Sequence, residues 1–380
     1  MSRRKIIVSA VLLVIVTFMV TAGGFLYLLK GNSSDVVSTL KFFRALQVVK
    51  ARYVEQVDTE TLVAGAVKGM VSSLGDPHSV YMDAKMYKEF MVETEGSFGG
   101  VGMVLGVKDK TLTVVSPIEG TPSDKAGIKS GDQILQIDGK DTKDMALDEA
   151  VNKIRGPEGT TVSLAVRHEN EPTKEITLTR SNIQIKTVAG KMLPDKIGYI
   201  RISMFNDNTG NDFAQKYKEL EAEGMKSIIL DLRDNPGGLL EESVKVASKF
   251  VPKGPVVSVV TRDGHRETHS SSLEAIKYPV AVLVNGGSAS ASEIVSGAIQ
   301  DTASGTLIGT KTYGKGSVQT VLRLDSGAIK LTIAKYLTPN DRSINGIGIE
   351  PDIKVEMDKD AKSDVQLDKA IEFVKEKMGK

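Results

Sequence analysis

The sequence predicts a multidomain α/β chain: a helical N-terminal region, a small module of short β-strands, and a layered α/β core with parallel and antiparallel strands. Three observations predict it. Apolar residues recur at helical spacing over residues 34–95. Residues 96–182 begin Gly-rich and continue as short runs of alternating apolar and polar residues bounded by turn residues. Residues 183–357 alternate apolar strand-like runs with amphipathic helical stretches, the pattern of an α/β core. A length of 380 residues suits two or three domains at ~100–200 residues each. With 41% hydrophobic and 26% charged residues, the composition excludes a wholly disordered or fibrous chain.

The N-terminus carries the first functional signal. Ile6 to Leu29 is a run of 24 residues without a charge, preceded by Arg3-Arg4-Lys5 and stopped by Lys30. At ~1.5 Å per helical residue it spans the ~30 Å hydrocarbon core of a bilayer. Basic residues on the short side stay in the cytoplasm. Residues 1–30 are therefore expected to be a single-pass anchor in the cell membrane, with the remainder outside the cytoplasm. The alternative is a cleaved signal peptide with Val20-Thr21-Ala22 as its small-residue site. The apolar run continues past Ala22 and exceeds a typical signal h-region. The 49 basic and 48 acidic residues balance to +1, which excludes a strongly basic nucleic-acid binder. The absence of Cys excludes disulfides, thiolate catalysis, zinc–thiolate sites and iron–sulfur clusters, and with only four His no metal centre is expected.

The elements follow in order. Val36 to Tyr53 and Thr61 to Leu74 read as helices of an N-terminal region over 31–95, the second stopped by Gly75-Asp76-Pro77. His78, in the stretch just after, is expected to be structural rather than catalytic. In 96–182, Phe98-Gly99-Gly100-Val101-Gly102-Met103-Val104 leads into a strand. A second strand, Thr111 to Val115, follows a Lys-Asp-Lys turn. Gln133 to Ile137 ends in Asp138-Gly139, a hairpin-type turn. Leu147 to Ile154 is an amphipathic helix. Thr161 to Arg167 and Lys174 to Thr179 are strands split by a Glu-Asn-Glu-Pro loop. The run Ala126-Gly127-Ile128-Lys129-Ser130-Gly131-Asp132-Gln133-Ile134-Leu135-Gln136-Ile137-Asp138-Gly139 makes this block resemble a PDZ domain of the bacterial protease type.

The chemistry of such a block can be read directly. Gly99, Gly100 and Gly102 let several backbone N–H groups converge as a nest for an anion. A strand edge starting at Val101 lies beside the helix from Leu147. An extended peptide can add there as a strand with its terminal carboxylate in the nest. Gly100, Val101, Gly102 and Met103 are the expected peptide-binding residues. A Gly-rich hairpin without a ligand is the plainer alternative.

In 183–357, strands are expected at Ile197–Ile202, Ser227–Leu232, Pro255–Val260 and Val280–Val284. Helices are expected at Asn211–Glu223, Leu239–Phe250 and from about Ser292 to Gln300. A hairpin turns at Gly327, and a charged amphipathic helix closes the chain within 358–380. Two strand–turn–helix units carry small residues: Asn235-Pro236-Gly237-Gly238 and Ser288-Ala289-Ser290-Ala291-Ser292. Strand carboxyl ends are where α/β sheets build sites, and helix N-termini offer free N–H groups. Two such ends side by side suit an oxyanion, with a Ser as nucleophile, although a tight packing loop would use the same residues. A Ser needs a base. His265 and His269 lie in a polar stretch read as a solvated loop, and no Gly-x-Ser-x-Gly elbow is present. Lys315, between Gly314 and Gly316, is the better candidate, an ordinary solvated Lys being the plainer reading.

Three segments make the core resemble the carboxyl-terminal processing, or tail-specific, proteases: Leu230 to Gly238, Val284 to Ile294, and Gly309 to Gln319. They occur in that order, and the likeness extends over nearly the whole chain after the anchor. The resemblance implies a serine endopeptidase with Ser290 as nucleophile, Lys315 as base and Gln319 as third member. It also implies the N–H groups of Gly238 and Ala291 as oxyanion donors. Lys315 would have to be neutral to accept a proton, and burial beside apolar groups lowers a Lys pKa. On a straight strand Lys315 and Gln319 would stand ~13 Å apart, so the Gly-Lys-Gly stretch must bend. No metal or cofactor is called for. The expected partners are protein substrates with a free C-terminus and the membrane, with pairing between copies left open. Arg155, just after the Leu147–Ile154 helix, is a candidate relay from bound peptide to the core, a solvated turn Arg being the plainer reading. A non-catalytic membrane-tethered PDZ scaffold is the rival function, and it leaves the three core segments unexplained.

Overall fold

The computed structural model describes residues 3–28, 33–108, 110–169, 171–357 and 363–379. Leu29 and Lys30 at the end of the expected anchor, Asp109 and Asn170 of the two expected loops, and 358–362 and Lys380 of the expected C-terminal segment lie outside the described residues. The chain divides into two compact units, residues 1–81 and 82–380.

The first unit is helical. α1 (Arg3–Leu28) contains Ile7–Gly24, a stretch long and apolar enough to cross a membrane. α2 (Ser33–Arg52) and α3 (Thr59–Ser72) follow. α3 starts before the expected Thr61 because Asp58 caps it, accepting the Thr61 N–H at 2.7 Å. A short strand, β1 (Val80–Asp83), lies at the junction.

The second unit begins with α4 (Ala84–Glu95), capped by Asp83, which accepts the Met86 N–H at 2.8 Å. The helix ends at Gly96, whose φ of +65° favours Gly. β2 (Ser97–Gly100) opens the small β module and pairs antiparallel with β9 (Ser181–Gln184), which closes it. Between them lie β3 (Met103–Lys108), β4 (Thr111–Pro117), α5 (Pro122–Lys125), β5 (Gln133–Ile137), β6 (Lys140–Asp141), α6 (Leu147–Ile154), β7 (Thr161–Arg167) and β8 (Lys174–Thr179). The strand order is β3-β4-β5-β7-β8, with β6 on β5. Alternate residues of β7, Val162, Leu164 and Val166, are buried with Ile134, Ile137, Ala150 and Ile154 in one core, as the period-2 and helical patterns require. β3 has one strand partner and α6 alongside it, so one backbone edge stays open.

The core comprises β10 (Val188–Leu193), β11 (Ile197–Ile202), α7 (Thr209–Ala222), β12 (Ser227–Asp231), α8 (Leu240–Ala247), β13 (Gly254–Thr261), β14 (Arg266–Ser271), β15 (Val280–Val284), α9 (Ala291–Asp301), β16 (Thr306–Gly309), β17 (Ser317–Leu324), β18 (Gly327–Leu337), β19 (Ile353–Lys354) and α10 (Val365–Met378). One sheet runs β10-β11-β12-β15-β16-β19, antiparallel only between β10 and β11. β12 and β15 are buried along their whole length because both faces are covered. Ile228, Leu230, Val282 and Val284 point into the larger core with α7, α8 and α9, and Ile229, Ala281 and Leu283 into a smaller one with α10. A second, antiparallel sheet joins β17, β18, β13 and β14.

Arg262 to His265 form an exposed turn as expected, but the polar stretch beyond them, with His269, is a strand rather than a solvated loop: β14 pairs with β13 from Gly254↔Ser271 to Val260↔Arg266. Being at the edge, it buries only Ser271. It therefore lacks the apolar alternation that marks a strand in the sequence. Arg155 is likewise no solvated turn residue. It is half-buried, with its guanidinium 4.2 Å from the Phe98 ring centroid, and burial pushes it below the usual Arg range.

Candidate active site

The site forms where β12 and β15 end. Both strands run into small-residue turns, and side chains of each turn bind the other. Ser288 Oγ donates to Leu232 O at 2.8 Å, and Ser292 Oγ to Asn235 O at 3.0 Å. The Ala289 N–H also donates to Asn235 O at 3.0 Å. Asn285 Oδ1 accepts from the Asp234 N–H at 2.9 Å. The outer two serines of Ser-Ala-Ser-Ala-Ser are thus fully buried and committed, whereas the central Ser290 is half-buried and lines a cavity of about 500 Å³. Ser290 is the N-cap of α9 with φ +53° and ψ −113°, a conformation that a non-Gly residue holds only under constraint.

The glycines of the first turn are required by close approach. A Cβ on Gly237 would lie 2.7 Å from Ser290 Cβ and 2.9 Å from the Ala291 nitrogen, so this turn sits directly against the start of α9. A Cβ on Gly238 would fall 2.0 Å from Phe205 O. The Gly237 N–H is used internally, donating to Asn235 Oδ1 at 2.9 Å. Both glycines line the cavity beside Ser290, Gly237 buried and Gly238 exposed.

Lys315 and Gln319 line the same cavity. Gly314 has φ +95°, and a register shift between Val318 and Gln319 interrupts the β17–β18 ladder. Gln319 Nε2 donates to Ser317 Oγ at 2.8 Å and Thr332 Oγ1 at 3.2 Å.

Glu293 and Tyr336 hold these loops together, and sequence reasoning gave neither a role. The buried Glu293 carboxylate accepts four bonds. Oε2 takes the Ser290 and Lys315 N–H groups, both at 2.8 Å, and Oε1 takes the Gly314 N–H at 2.7 Å and Thr312 Oγ1 at 2.6 Å. The buried Tyr336 hydroxyl stands 2.7 Å from Lys315 O and 3.0 Å from Ser290 O and donates between them. Burial, then the Glu293 carboxylate, raise its pKa well above the ordinary tyrosine value, which keeps the phenol a donor. The Ser-x-x-Glu spacing was a signal for Glu293 as a capping residue. A Tyr on an alternating strand carries no such signal. Neither His265 nor His269 lines the cavity; His269 stands 3.7 Å from Glu241 and from Glu267.

The predicted peptide-binding residues are contiguous in space but differ in setting. Gly100 ends β2 opposite Ser181. Val101 is 1% exposed. Gly102 has φ +77°, and its carbonyl accepts from Thr121 and Ser123 hydroxyls at 3.0 and 2.5 Å. Met103 opens the free-edged β3. The strand edge thus starts two residues later than Val101.

A cap Ser under backbone strain, a lysine loop and a glycine turn surround one cavity, with a small β module ahead of them, an arrangement suited to peptide hydrolysis. The family comparisons agree. Residues 196–355 match the model of peptidase family S41, 89–167 the PDZ domain, and 29–86 the activating protease CtpB N-terminal domain. Over 355 residues the chain is 37% identical to the carboxy-terminal processing protease CtpA of Bacillus subtilis, covering 93% of this chain and 76% of that protein. Over 328 residues it is 42% identical to the carboxy-terminal-processing protease of Bartonella bacilliformis, covering 83% and 74%. A photosystem II D1 C-terminal processing protease structure aligns at 30% identity and TM-score 0.49, covering 83% of this chain and 92% of that one. The chain belongs to peptidase family S41, the carboxy-terminal processing serine proteases, and carries the PDZ domain found with them.

Proposed function

We propose that the chain is a membrane-anchored serine endopeptidase that binds protein C-terminal tails through its PDZ domain and cleaves by a Ser–Lys mechanism. The supporting observation is that Ser290, Lys315, Gln319 and Gly238 line one cavity, while Glu293 ties the Ser290 and Lys315 loops to each other. As Ser290 Oγ attacks the substrate carbonyl carbon, its proton passes to a neutral Lys315 amine. The N–H groups of Gly238 and Ala291 hold the resulting oxyanion; Gly237 is unsuited because Asn235 already takes its N–H. Collapse breaks the C–N bond and the leaving amine takes the proton from Lys315. Water, deprotonated by Lys315, then hydrolyses the Ser290 ester. With its Nε2 committed to Ser317 and Thr332, Gln319 keeps its carbonyl oxygen to orient Lys315 without adding charge.

In this reading residues 1–30 are the anchor, 31–95 a helical region, 96–182 the PDZ domain, 183–357 the protease core and 358–380 a C-terminal helix. The catalytic part lies outside the cytoplasm. The tail adds to the free edge of β3, with its carboxylate toward Gly100, Val101, Gly102 and Met103. The test is cleavage of an unfolded substrate by folded variants. Ser290→Ala and Lys315→Arg each lower turnover by ~10³-fold or more, since Arg stays protonated. Full activity in either, or loss confined to Ser288→Ala or Ser292→Ala, removes the assignment.

A further inference from the structure

The cavity around Ser290 continues past Gln319 along the β17–β18 ladder. Gln319 stands opposite Thr332, and Val321 opposite Lys330. Residues two apart on a strand share a face, so Lys330 belongs to the surface that carries Gln319, and Gln319, Val321 and Lys330 all line the cavity. α4 supplies the facing wall through Phe90 and Glu93. Lys330 Nζ lies 5.0 Å from the Phe90 ring centroid. Among the described residues no carboxylate forms an ion pair with it, and Glu93 acts only at longer range. Burial against this wall pushes the Lys330 ammonium below the usual Lys range. The cleft therefore holds a cation stripped of part of its water, with a ring at its side and no close counter-charge.

We propose that Lys330 is a specificity-determining residue that receives a carboxylate of the substrate inside the cleft. This rests on the reading of the Ser290–Lys315 cavity as the catalytic cleft. A carboxylate supplies the missing counter-charge and accepts a charge-assisted hydrogen bond. Val321 is ~6.6 Å along the strand from Gln319. An extended substrate passing Gln319 thus brings a group to Lys330 within roughly two or three residues. The carboxylate is either an Asp or Glu side chain or the α-carboxylate of the tail itself.

The experiment uses the full-length protein in detergent with quenched-fluorescent peptides. They carry Glu, Gln or Lys at each position flanking the scissile bond and end in a free acid or an amide. Wild type is compared with Lys330→Met, Lys330→Arg and Lys330→Glu, and thermal melting verifies each fold. At one position wild type prefers Glu to Gln by about tenfold or more in kcat/KM, carried mainly by KM. Lys330→Arg keeps the preference, Lys330→Met abolishes it, and Lys330→Glu turns it toward Lys. If the α-carboxylate is the group read, Lys330→Met instead abolishes the penalty for amidation. Equal Glu/Gln and acid/amide ratios in wild type and Lys330→Met overturn the proposal. Should Lys330→Met not fold, the same equality between wild type and Lys330→Glu overturns it. Failure of the catalytic reading looks different, because Ser290→Ala then still turns over every peptide.

Discussion

Glu293 accepts from four neutral donors, two of them the amides of Ser290 and Lys315. A glutamine there would present N–H groups to N–H groups. Glu293→Gln is expected to lower kcat by about 10²-fold through displacement of both loops. It is also expected to cost ~1–3 kcal/mol of stability for donors left unmet. Single-turnover kinetics with a denaturant melt checks this, and wild-type kcat would contradict it. The same residues show what a sequence can and cannot disclose. Ser290 and Lys315 stood out as candidates because small-residue turns flank them, and both line one cavity. That the Gly237 N–H is bonded to Asn235, which bears on which glycine is left to donate, is visible only in the folded turn. Tyr336 stayed hidden, because alternation on β18 says that a residue is buried and not what its hydroxyl holds.

At the scale of elements, covered strands announce themselves and edge strands do not. β12 and β15 were legible as continuous apolar runs, whereas β14 was not. α10 is the element whose attachment is most testable. Arg233 reaches Asp231 at 2.6 Å and Asp364, the N-cap of α10, at 2.7 Å. Burial works against its charge and is outweighed by these two carboxylates. Tyr199, pushed up to about 12 by burial and its bond to Asp231, completes the group as a donor. Arg233→Met leaves Asp231 buried without its cation and is expected to cost ~3–5 kcal/mol. The Arg233 hydrogen bond holds the Asp364 carboxyl below its ordinary range. Its contribution is therefore complete above the unfolded Asp pKa of ~3.9 and is lost as pH falls through the lowered folded value. Melts of wild type and Asp364→Asn should thus differ at neutral pH and converge as pH falls through the lowered folded value. A gap that stays constant through acid pH would refute the clamp.

At the scale of the whole molecule, the order of helical region, β module and α/β core was legible from changes of periodicity alone. The join between module and core was not, because contacts across it have no local pattern. α4 carries it. Lys85 at its start bonds Asp148 of α6 at 3.1 Å, and Phe90 and Glu93 further along line the cavity around Ser290. The helix beside the open edge of β3 and the wall of the cleft are thus one or two contacts apart. Amidating the C-terminus of an otherwise identical unfolded substrate is expected to lower kcat/KM at least tenfold, since loss of one charge-assisted bond is worth ~1.4 kcal/mol or more. Equal rates for acid and amide would show that the module does not select tails.

The four bonds to Glu293 also decide how such a protease fails. Under the Ser–Lys reading, nucleophile and base come from segments that meet only in the folded chain, and one carboxylate secures both. Local opening that draws β17 from the sheet takes Lys315 out of register and releases Ser290 from its constrained φ in the same event. A partly unfolded copy is then inert and does not become an indiscriminate cutter, so damage to this enzyme does not spread to its neighbours.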